Sequence, residues 1–164
     1  MIDERTLDEA KTLLQKLQHR TMRIVTAESC TGGLVAAALT HHPGSSGSVL
    51  GGFVTYSNEM KHRLLGVDMT LFDQVGAVSA EVAAAMADGA LDRSDADLAV
   101  SITGIAGPGG ATPGKPVGLV WFGVARRGQA ARTRQAILPG DRTAIRNASV
   151  LEALMLLHQA LDEG

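Results

Sequence analysis

A chain of 164 residues is the size of one domain, and its formal net charge of -2 excludes the general attraction to nucleic acid that a strongly basic protein has. Aromatic residues make up only 3% of the chain, too few for a surface that stacks single-stranded bases. One cysteine excludes an internal disulfide, and neither a signal peptide nor an apolar run of membrane-spanning length is present. We therefore expect one soluble cytoplasmic domain over residues 1–164, with no nucleic-acid or membrane partner.

The first part of the chain predicts a helix, a strand and a second helix. The Thr6-x-x-Glu9 pattern indicates a capping box at the start of the first helix. A strand is expected over 22–27, which is largely apolar, and a helix over 34–41, which is rich in small residues. The first helix is amphipathic, and its apolar face contains Leu7, Ala10, Leu13, Leu14 and Leu17.

A second strand is expected over 49–56, where the Gly51-Gly52 pair indicates a bulge or a close backbone approach. Asn58 is predicted to cap the helix that follows. That helix carries Lys61 and is expected to end at Gly66, because glycine readily adopts the left-handed conformation of a helix end.

The middle of the chain predicts a helix, a strand and a glycine-rich loop. Ser79 is predicted to cap an alanine-rich helix over 80–91. An apolar run over 98–102 predicts a third strand. That strand leads into Thr103–Gly110, written TGIAGPGG.

The last part of the chain completes the predicted fold. A fourth strand is expected over 117–125, a fifth over 130–138 near a sheet edge, and a final helix capped by Asp141. This order predicts an α/β fold, a three-layer α/β/α sandwich with a mixed, mainly parallel sheet of about five strands or more. Ligands bind such sheets at the carboxyl ends of the strands.

The segment Thr26–Gly33, written TAESCTGG, joins the first strand to the second helix and has three interpretations. It fits a capped helix start, with Ser29 or Thr31 as the cap, or a loop that binds phosphate. It also fits a turn that presents the Ser29 hydroxyl as a nucleophile. In that case an oxyanion would face the backbone amides near Cys30, Gly32 and Gly33. The residues alone leave capping and catalysis equally supported.

Other kinds of site have less support. Gly109–Lys115 (GGATPGK) matches the opening of a nucleotide-binding P-loop, but Pro116 replaces the magnesium-binding Ser or Thr, and a strand follows where a helix is needed. Cys30 is an alternative thiolate nucleophile, although no motif ties a histidine to it. No metal site is expected, because the histidines are scattered over His19, His41, His42, His62 and His158.

Tyr56 and Lys61 are the candidates for a base that would activate Ser29. The segment Tyr56–Lys61, written YSNEMK, places a phenol at a strand end and an amine on the first turn of the next helix, so both are expected at one sheet edge. A lysine whose pKa is lowered by burial can take a proton from serine, directly or through a tyrosine hydroxyl. Taken singly, Lys61 fits a solvated helix lysine and Tyr56 a half-buried strand residue.

Arg142 and Arg146 lie one turn apart at the start of the last helix. Their guanidinium groups are suited to binding a phosphate together with the helix-terminal amides. A solvated basic turn is the alternative. Arginines at a helix N-terminus oppose the helix dipole, which favours a ligand-related role.

Four segments together resemble the CinA C-terminal domain family, from about Thr6 to Leu161: TAESCTGG, YSNEMKHRLLGV (56–67), GAVSAEVAAAMADGA (76–90) and SITGIAGPGGATPGKPVG (101–118). Members of that family act as nicotinamide-nucleotide amidases, which convert nicotinamide mononucleotide to nicotinate mononucleotide and ammonia. Longer members carry an additional molybdopterin-binding-like domain, so this chain is expected to be the stand-alone form.

The resemblance implies a hydrolase of a linear amide bond in pyridine nucleotide recycling, with Ser29, Tyr56 and Lys61 as its catalytic residues. It also implies a small-molecule substrate, no metal or organic cofactor, and a homodimer or larger homo-oligomer. The residues expected to bind the substrate are Glu28, Cys30, Thr31, Gly32, Gly33, Thr103, Gly104, Arg142 and Arg146.

A non-catalytic module is the rival interpretation. Such a protein, linked to competence or the response to DNA damage, would use the same loops to bind a nucleotide or a partner. It would bind nicotinamide mononucleotide and release no ammonia.

Overall fold

A five-stranded sheet forms the centre of the protein in the computed structural model, which describes residues 1–164. Its spatial order is β2-β1-β3-β4-β5. The pairs β2–β1 and β1–β3 are parallel, whereas β3–β4 and β4–β5 are antiparallel, so only β4 runs against the other strands. The strands are β1 Ile24–Glu28, β2 Val49–Val54, β3 Leu98–Gly104, β4 Leu119–Arg126 and β5 Arg132–Ile137.

Helices cover both faces of the sheet, which confirms the predicted three-layer α/β/α sandwich. On one face α1, α2 and α6 pack on one another over the larger apolar core, and on the other α3 and α4 pack against α5 over the smaller one. The helices are α1 Glu4–His19, α2 Leu34–Thr40, α3 Asn58–Leu65, α4 Met69–Gln74, α5 Ala80–Asp92 and α6 Arg142–Asp162. No pattern in the sequence predicts α4. None of the helices has the length and apolarity needed to cross a membrane.

Two of the predicted helix caps are wrong by position. The cap of α1 is Asp3, whose side chain accepts a hydrogen bond from the Thr6 amide, so that Thr6 lies inside the helix. The cap of α3 is Ser57, whose hydroxyl accepts from the Met60 amide, and Asn58 is the first helical residue. In both cases two candidate caps stand within three residues, and propensity alone does not choose between them.

Other local predictions are confirmed. Ser79 and Asp141 cap α5 and α6, and α3 ends at Gly66 with φ 69°. The β1–β2 register shifts next to the two glycines of β2, and a Cβ on Gly52 would overlap the Thr26 hydroxyl, so this segment has both a bulge and a close approach. The fifth strand is an edge strand, as predicted.

The segment that imitates a P-loop forms a different structure. Thr112 and Lys115 pair in a small antiparallel bridge, and β4 follows four residues later. The element that follows this loop is thus a strand and not the helix whose N-terminus a P-loop needs.

Candidate active site

The candidate site is a cleft at the carboxyl ends of the neighbouring parallel strands β1 and β3. The register pairs Glu28, the last residue of β1, with Ile102, so the turn that begins at Ser29 starts beside Thr103 and Gly104, the last two residues of β3. The loop after β2, the loop before α5 and the start of α6 complete the cleft. Its lining residues are Ser29, Cys30, Tyr56, Asn58, Lys61, Ala77, Val78, Thr103, Gly104, Ala106 and Arg142.

The central contact of the cleft joins Lys61 to Ser29. The Lys61 Nζ lies 3.0 Å from the Ser29 Oγ, and it also donates to the backbone carbonyls of Thr55 at 3.0 Å and Tyr56 at 3.4 Å. Lys61 is 1% exposed and Ser29 is 8% exposed. The two side chains therefore form a buried serine–lysine pair, held at a length that allows proton transfer.

Burial changes the acidity of Lys61. Loss of water around the ammonium group lowers its pKa from 10.5 to about 8, because a desolvated charge is costly. No carboxylate forms an ion pair with this lysine, whose acceptors are two carbonyls and a hydroxyl. The neutral amine, which is the form that accepts a proton, is accessible near neutral pH.

Glu28 fixes the turn that presents Ser29, and it does not line the cleft. Its carboxylate is fully buried and accepts hydrogen bonds from the Thr31 hydroxyl at 2.7 Å and the Gly33 amide at 3.0 Å. It also accepts from the amides of Val35 and Ala36 at 3.1 and 2.8 Å. A carboxylate thereby occupies the N-terminus of α2, where the helix dipole favours a negative charge. The structure thus gives Glu28 and Thr31 internal partners.

The amides of the turn divide into two groups. Those of Gly32 and Gly33 donate to the Ser29 carbonyl and the Glu28 carboxylate, so they are already engaged. Those of Cys30 and Thr31 donate to no other residue, and the Cys30 amide lies beside its own sulfur. The Cys30 amide follows the serine directly, which is the position of an oxyanion-binding amide in a nucleophile turn. The free donors are therefore earlier in the turn than the two glycines.

Cys30 has the properties of a packing residue. Its side chain is 5% exposed, and burial raises the pKa of the thiol from 9.0 to about 11. A cysteine nucleophile needs a lowered pKa, so this environment disfavours the thiolate that the alternative interpretation requires.

Tyr56 and Arg142 meet at the mouth of the cleft. The Tyr56 side chain is 61% exposed, and its hydroxyl accepts a hydrogen bond from Arg142 at 3.0 Å. Arg142 also donates to the Gly107 carbonyl at 2.9 Å. The phenol makes no hydrogen bond to Ser29 or Lys61, and the contact of Tyr56 with Lys61 runs through the backbone carbonyl. This arrangement favours Lys61 as the immediate base.

Arg146 does not line the cleft. It donates to the carbonyls of Cys30 at 3.0 Å and Thr31 at 3.4 Å, on the turn that follows Ser29. Of the two arginines singled out in the sequence, the structure thus brings Arg142 to the cleft and joins Arg146 to the backbone behind it.

Thr103 and Gly104 both line the cleft. The Thr103 hydroxyl donates to the Ala77 carbonyl at 2.9 Å, which ties the end of β3 to the loop before α5. A Cβ on Gly104 would come within 2.7 Å of the Val120 side chain and 3.0 Å of the Leu119 carbonyl oxygen, so glycine permits the close approach of β4 at this end of β3.

Sequence reasoning missed the lining roles of Asn58, Ala77, Val78 and Ala106, and the Thr55 carbonyl that holds Lys61. Ala77, Val78 and Ala106 have no side-chain functional group that would mark them. Asn58 was interpreted as a cap, and only the geometry shows that Ser57 has that role.

Comparison with other proteins identifies related chains. Residues 7–161 match the family model of the CinA C-terminal domain. A CinA-like protein from Mycolicibacterium vanbaalenii is 58% identical over 141 residues, which are 86% of this chain and 33% of that protein. One from Mycobacterium marinum is 59% identical over the same coverage. The chain thus spans about a third of the length of these relatives.

Solved structures resemble the chain over nearly its full length. The competence/damage inducible protein CihA from Agrobacterium tumefaciens is 42% identical with a TM-score of 0.94, covering 99% of this chain and 98% of that chain. A CinA superfamily protein from Klebsiella pneumoniae is 34% identical with a TM-score of 0.93, covering 97% and 99%.

Proposed function

Since the chain belongs to the CinA C-terminal domain family, we propose that it is a nicotinamide-nucleotide amidase that hydrolyses the carboxamide of nicotinamide mononucleotide. The observation that carries the proposal is the buried contact of 3.0 Å between the Lys61 amine and the Ser29 hydroxyl. A lysine with a pKa of about 8 beside a serine hydroxyl is suited to activate a nucleophile. An ordinary surface lysine would have neither the burial nor the lowered pKa.

The first half of the reaction forms an ester on Ser29. The Ser29 Oγ bonds to the carboxamide carbon, and its proton passes to the neutral Lys61 amine. The carbonyl oxygen becomes an oxyanion, which the free Cys30 amide is suited to bind. The C–N bond then breaks, Lys61 returns the proton to the leaving nitrogen, and ammonia departs.

The second half consumes water. Lys61 accepts a proton from a water molecule as its oxygen bonds to the ester carbon, and the Ser29 oxygen leaves and is reprotonated. Nicotinate mononucleotide is released and the serine is restored. Each step needs only the serine, the lysine and water, so the proposal includes no metal or organic cofactor.

The mouth of the cleft offers groups for the rest of the nucleotide. Arg142 is a charged donor there, and a guanidinium group binds phosphate well. The exposed ring of Tyr56 is the aromatic group of the cleft, and its face is suited to the positively charged pyridinium ring of the substrate. The proposed role of Tyr56 is therefore to bind the substrate and not to transfer a proton.

Ammonia release from nicotinamide mononucleotide tests the proposal. The variants are Ser29→Ala, Lys61→Met and the control Ser149→Ala, which removes a buried serine that hydrogen-bonds only within α6. We expect release by the wild type and by the control, with a chelator present, and a loss of at least about 1000-fold in the other two variants. Near-normal release by Ser29→Ala would contradict the mechanism. Binding of the nucleotide with no release by the wild type would favour the non-catalytic binding module.

A further inference from the structure

Arg146 lies close to the reacting serine yet has its donors directed at the backbone. Its Nε donates to the Cys30 carbonyl at 3.0 Å and its Nη2 to the Thr31 carbonyl at 3.4 Å. These carbonyls belong to the Cys30–Thr31 and Thr31–Gly32 peptides, which come directly after the free Cys30 amide. The guanidinium group therefore connects α6 to the turn that carries Ser29, over a sequence separation of 116 residues.

The contact constrains the direction of the neighbouring amide. The Cys30–Thr31 peptide is trans, because the single cis bond of the chain is Gly107–Pro108. In a trans peptide the C=O and N–H bonds point in opposite directions. A Cys30 carbonyl held by Arg146 thus turns the Thr31 amide away from α6, and this amide has no acceptor of its own.

A second hydrogen bond constrains the preceding peptide. The Gly32 amide donates to the Ser29 carbonyl at 3.0 Å and so holds the Ser29–Cys30 peptide, whose own amide, that of Cys30, donates to no other residue. Two successive backbone amides are therefore free directly after Ser29. Successive amides of this kind form an anion-binding concavity, provided that the peptide planes are held in place.

Gly32 permits the approach of the guanidinium group. Its φ of 58° lies in the left-handed region, and a Cβ there would be 3.3 Å from the Arg146 Nη2. Gly32, the first glycine of the TAESCTGG segment, thus leaves space for Arg146. This observation supports the close approach independently of the hydrogen bonds.

We propose that Arg146 is a positioning residue that fixes the peptide planes after Ser29, so that the Cys30 and Thr31 amides are ready to bind the oxyanion. This role replaces the phosphate binding that the sequence suggested for Arg146, and it rests on the proposed amidase function. A small displacement of these donors would weaken binding of the transition state while leaving binding of the substrate largely intact.

The experiment compares Arg146→Ala and Arg146→Lys with Arg127→Ala. Arg127 is a matched control, because it also donates to backbone carbonyls, those of Leu91, Ser94 and Ala96, outside the cleft. Two substrates are used, nicotinamide mononucleotide and the riboside that lacks the phosphate. Independently of both, the rate of labelling of Ser29 by a fluorophosphonate reports on the nucleophile and its oxyanion site.

We expect Arg146→Ala to lower kcat about 100-fold. KM should change by less than about threefold, and the loss should be the same for both substrates. Labelling of Ser29 should slow in parallel, Arg146→Lys should lose less, and added guanidinium ions should restore part of both rates in Arg146→Ala. The control should match the wild type, and thermal unfolding of each variant shows that it is folded.

Two results would overturn the inference. A rise in KM that is seen with the mononucleotide and absent with the riboside would make Arg146 a phosphate-binding residue. Unchanged kcat and labelling in Arg146→Ala would remove any role in the reaction. Failure of the proposed function looks different: the wild type would be labelled at Ser29 but release no ammonia, and the labelling rates would still test Arg146.

Discussion

Lys61 is the residue whose position departs furthest from ordinary expectation, because lysines are rarely buried without an acidic partner. Here the residue is 1% exposed, and its amine is held by two carbonyls and the Ser29 hydroxyl. Such a site raises the free energy of the charged form, which is the cost of keeping a base ready at neutral pH.

The pH dependence of kcat/KM follows from that site. Only the neutral amine accepts the serine proton, and its pKa is lowered to about 8. We expect kcat/KM to rise about tenfold per pH unit below pH 7 and to level off above about pH 8. The measurement is initial ammonia release between pH 6 and 10 with the wild type and the Ser149→Ala control. A profile that stays flat from pH 6.5 to 9 would contradict the assignment of Lys61 as the base.

At the residue scale the sequence indicated Ser29 and Lys61 as candidates but not their contact. They are 32 residues apart, and their approach depends on the tertiary packing of α3, which contacts α5 and α4. The sequence did not separate Arg142 from Arg146 either. Both stand on the same face of one helix, one turn apart, and only their different positions along the helix axis bring Arg142 to the cleft and Arg146 to the turn. The residue types thus indicated which side chains are able to react or to bind a ligand, whereas tertiary packing determines which of them contact one another.

At the scale of elements, α2 depends on a carboxylate that comes from the preceding strand. Glu28 accepts hydrogen bonds from three amides at the start of this seven-residue helix. We expect Glu28→Gln to lower the free energy of unfolding by about 2–3 kcal/mol. The NH2 group of the glutamine would replace one carboxylate oxygen, and it cannot accept the hydrogen bonds of the backbone amides that it faces. Chemical denaturation measures the change. The control is Glu59→Gln, an exposed glutamate in the first turn of α3, for which the change is within about 0.5 kcal/mol. Equal effects of the two substitutions would contradict this role of Glu28.

The contact between α3 and α5 gives a second test at this scale. Gly89 lies within α5, and a Cβ there would overlap the Leu65 carbonyl of α3. Alanine normally stabilises a helix by about 1 kcal/mol relative to glycine. We expect Gly89→Ala instead to destabilise by about 1–3 kcal/mol, since the two helices must separate. Turnover should fall as well, because α3 carries Lys61.

The control for that test is Gly109→Ala, in a loop position where a Cβ meets nothing within 4 Å. Thermal and chemical unfolding of both variants, with ammonia release, gives the comparison. A Gly89→Ala protein that is more stable than the wild type would show that α3 and α5 do not need this close approach.

Most elements could be predicted from the sequence because apolar periodicity and caps are local signals. The exceptions have physical reasons. The six-residue helix α4 lacks any buried residue, so it has no apolar stripe to detect. The caps of α1 and α3 were misplaced because neighbouring residues have similar capping propensity. The antiparallel direction of β4 relative to β3 is not a local property, since it depends on the path of the chain between the two strands and not on the residues of β4.

For the whole molecule, strand direction explains where the site lies. The parallel strands β1, β2 and β3 end at one edge. The residue after β1 is Ser29, the loop after β2 leads to Lys61, and the end of β3 supplies Thr103. The N-terminus of α6 reaches the same edge with Arg142. Together with the loop before α5, the doubly covered sheet thus holds five separate segments around one small cleft, which is the usual advantage of this architecture for catalysis.

The most direct test of the account is to find the acyl group on Ser29. The wild-type protein is quenched in acid during turnover of nicotinamide mononucleotide, and its peptides are measured by mass spectrometry. We expect an ester of nicotinate mononucleotide on the Ser29 side chain in the wild type, and none in Ser29→Ala. Ammonia release with that peptide unmodified throughout turnover, or an adduct on Cys30 in its place, would contradict a serine nucleophile activated by Lys61.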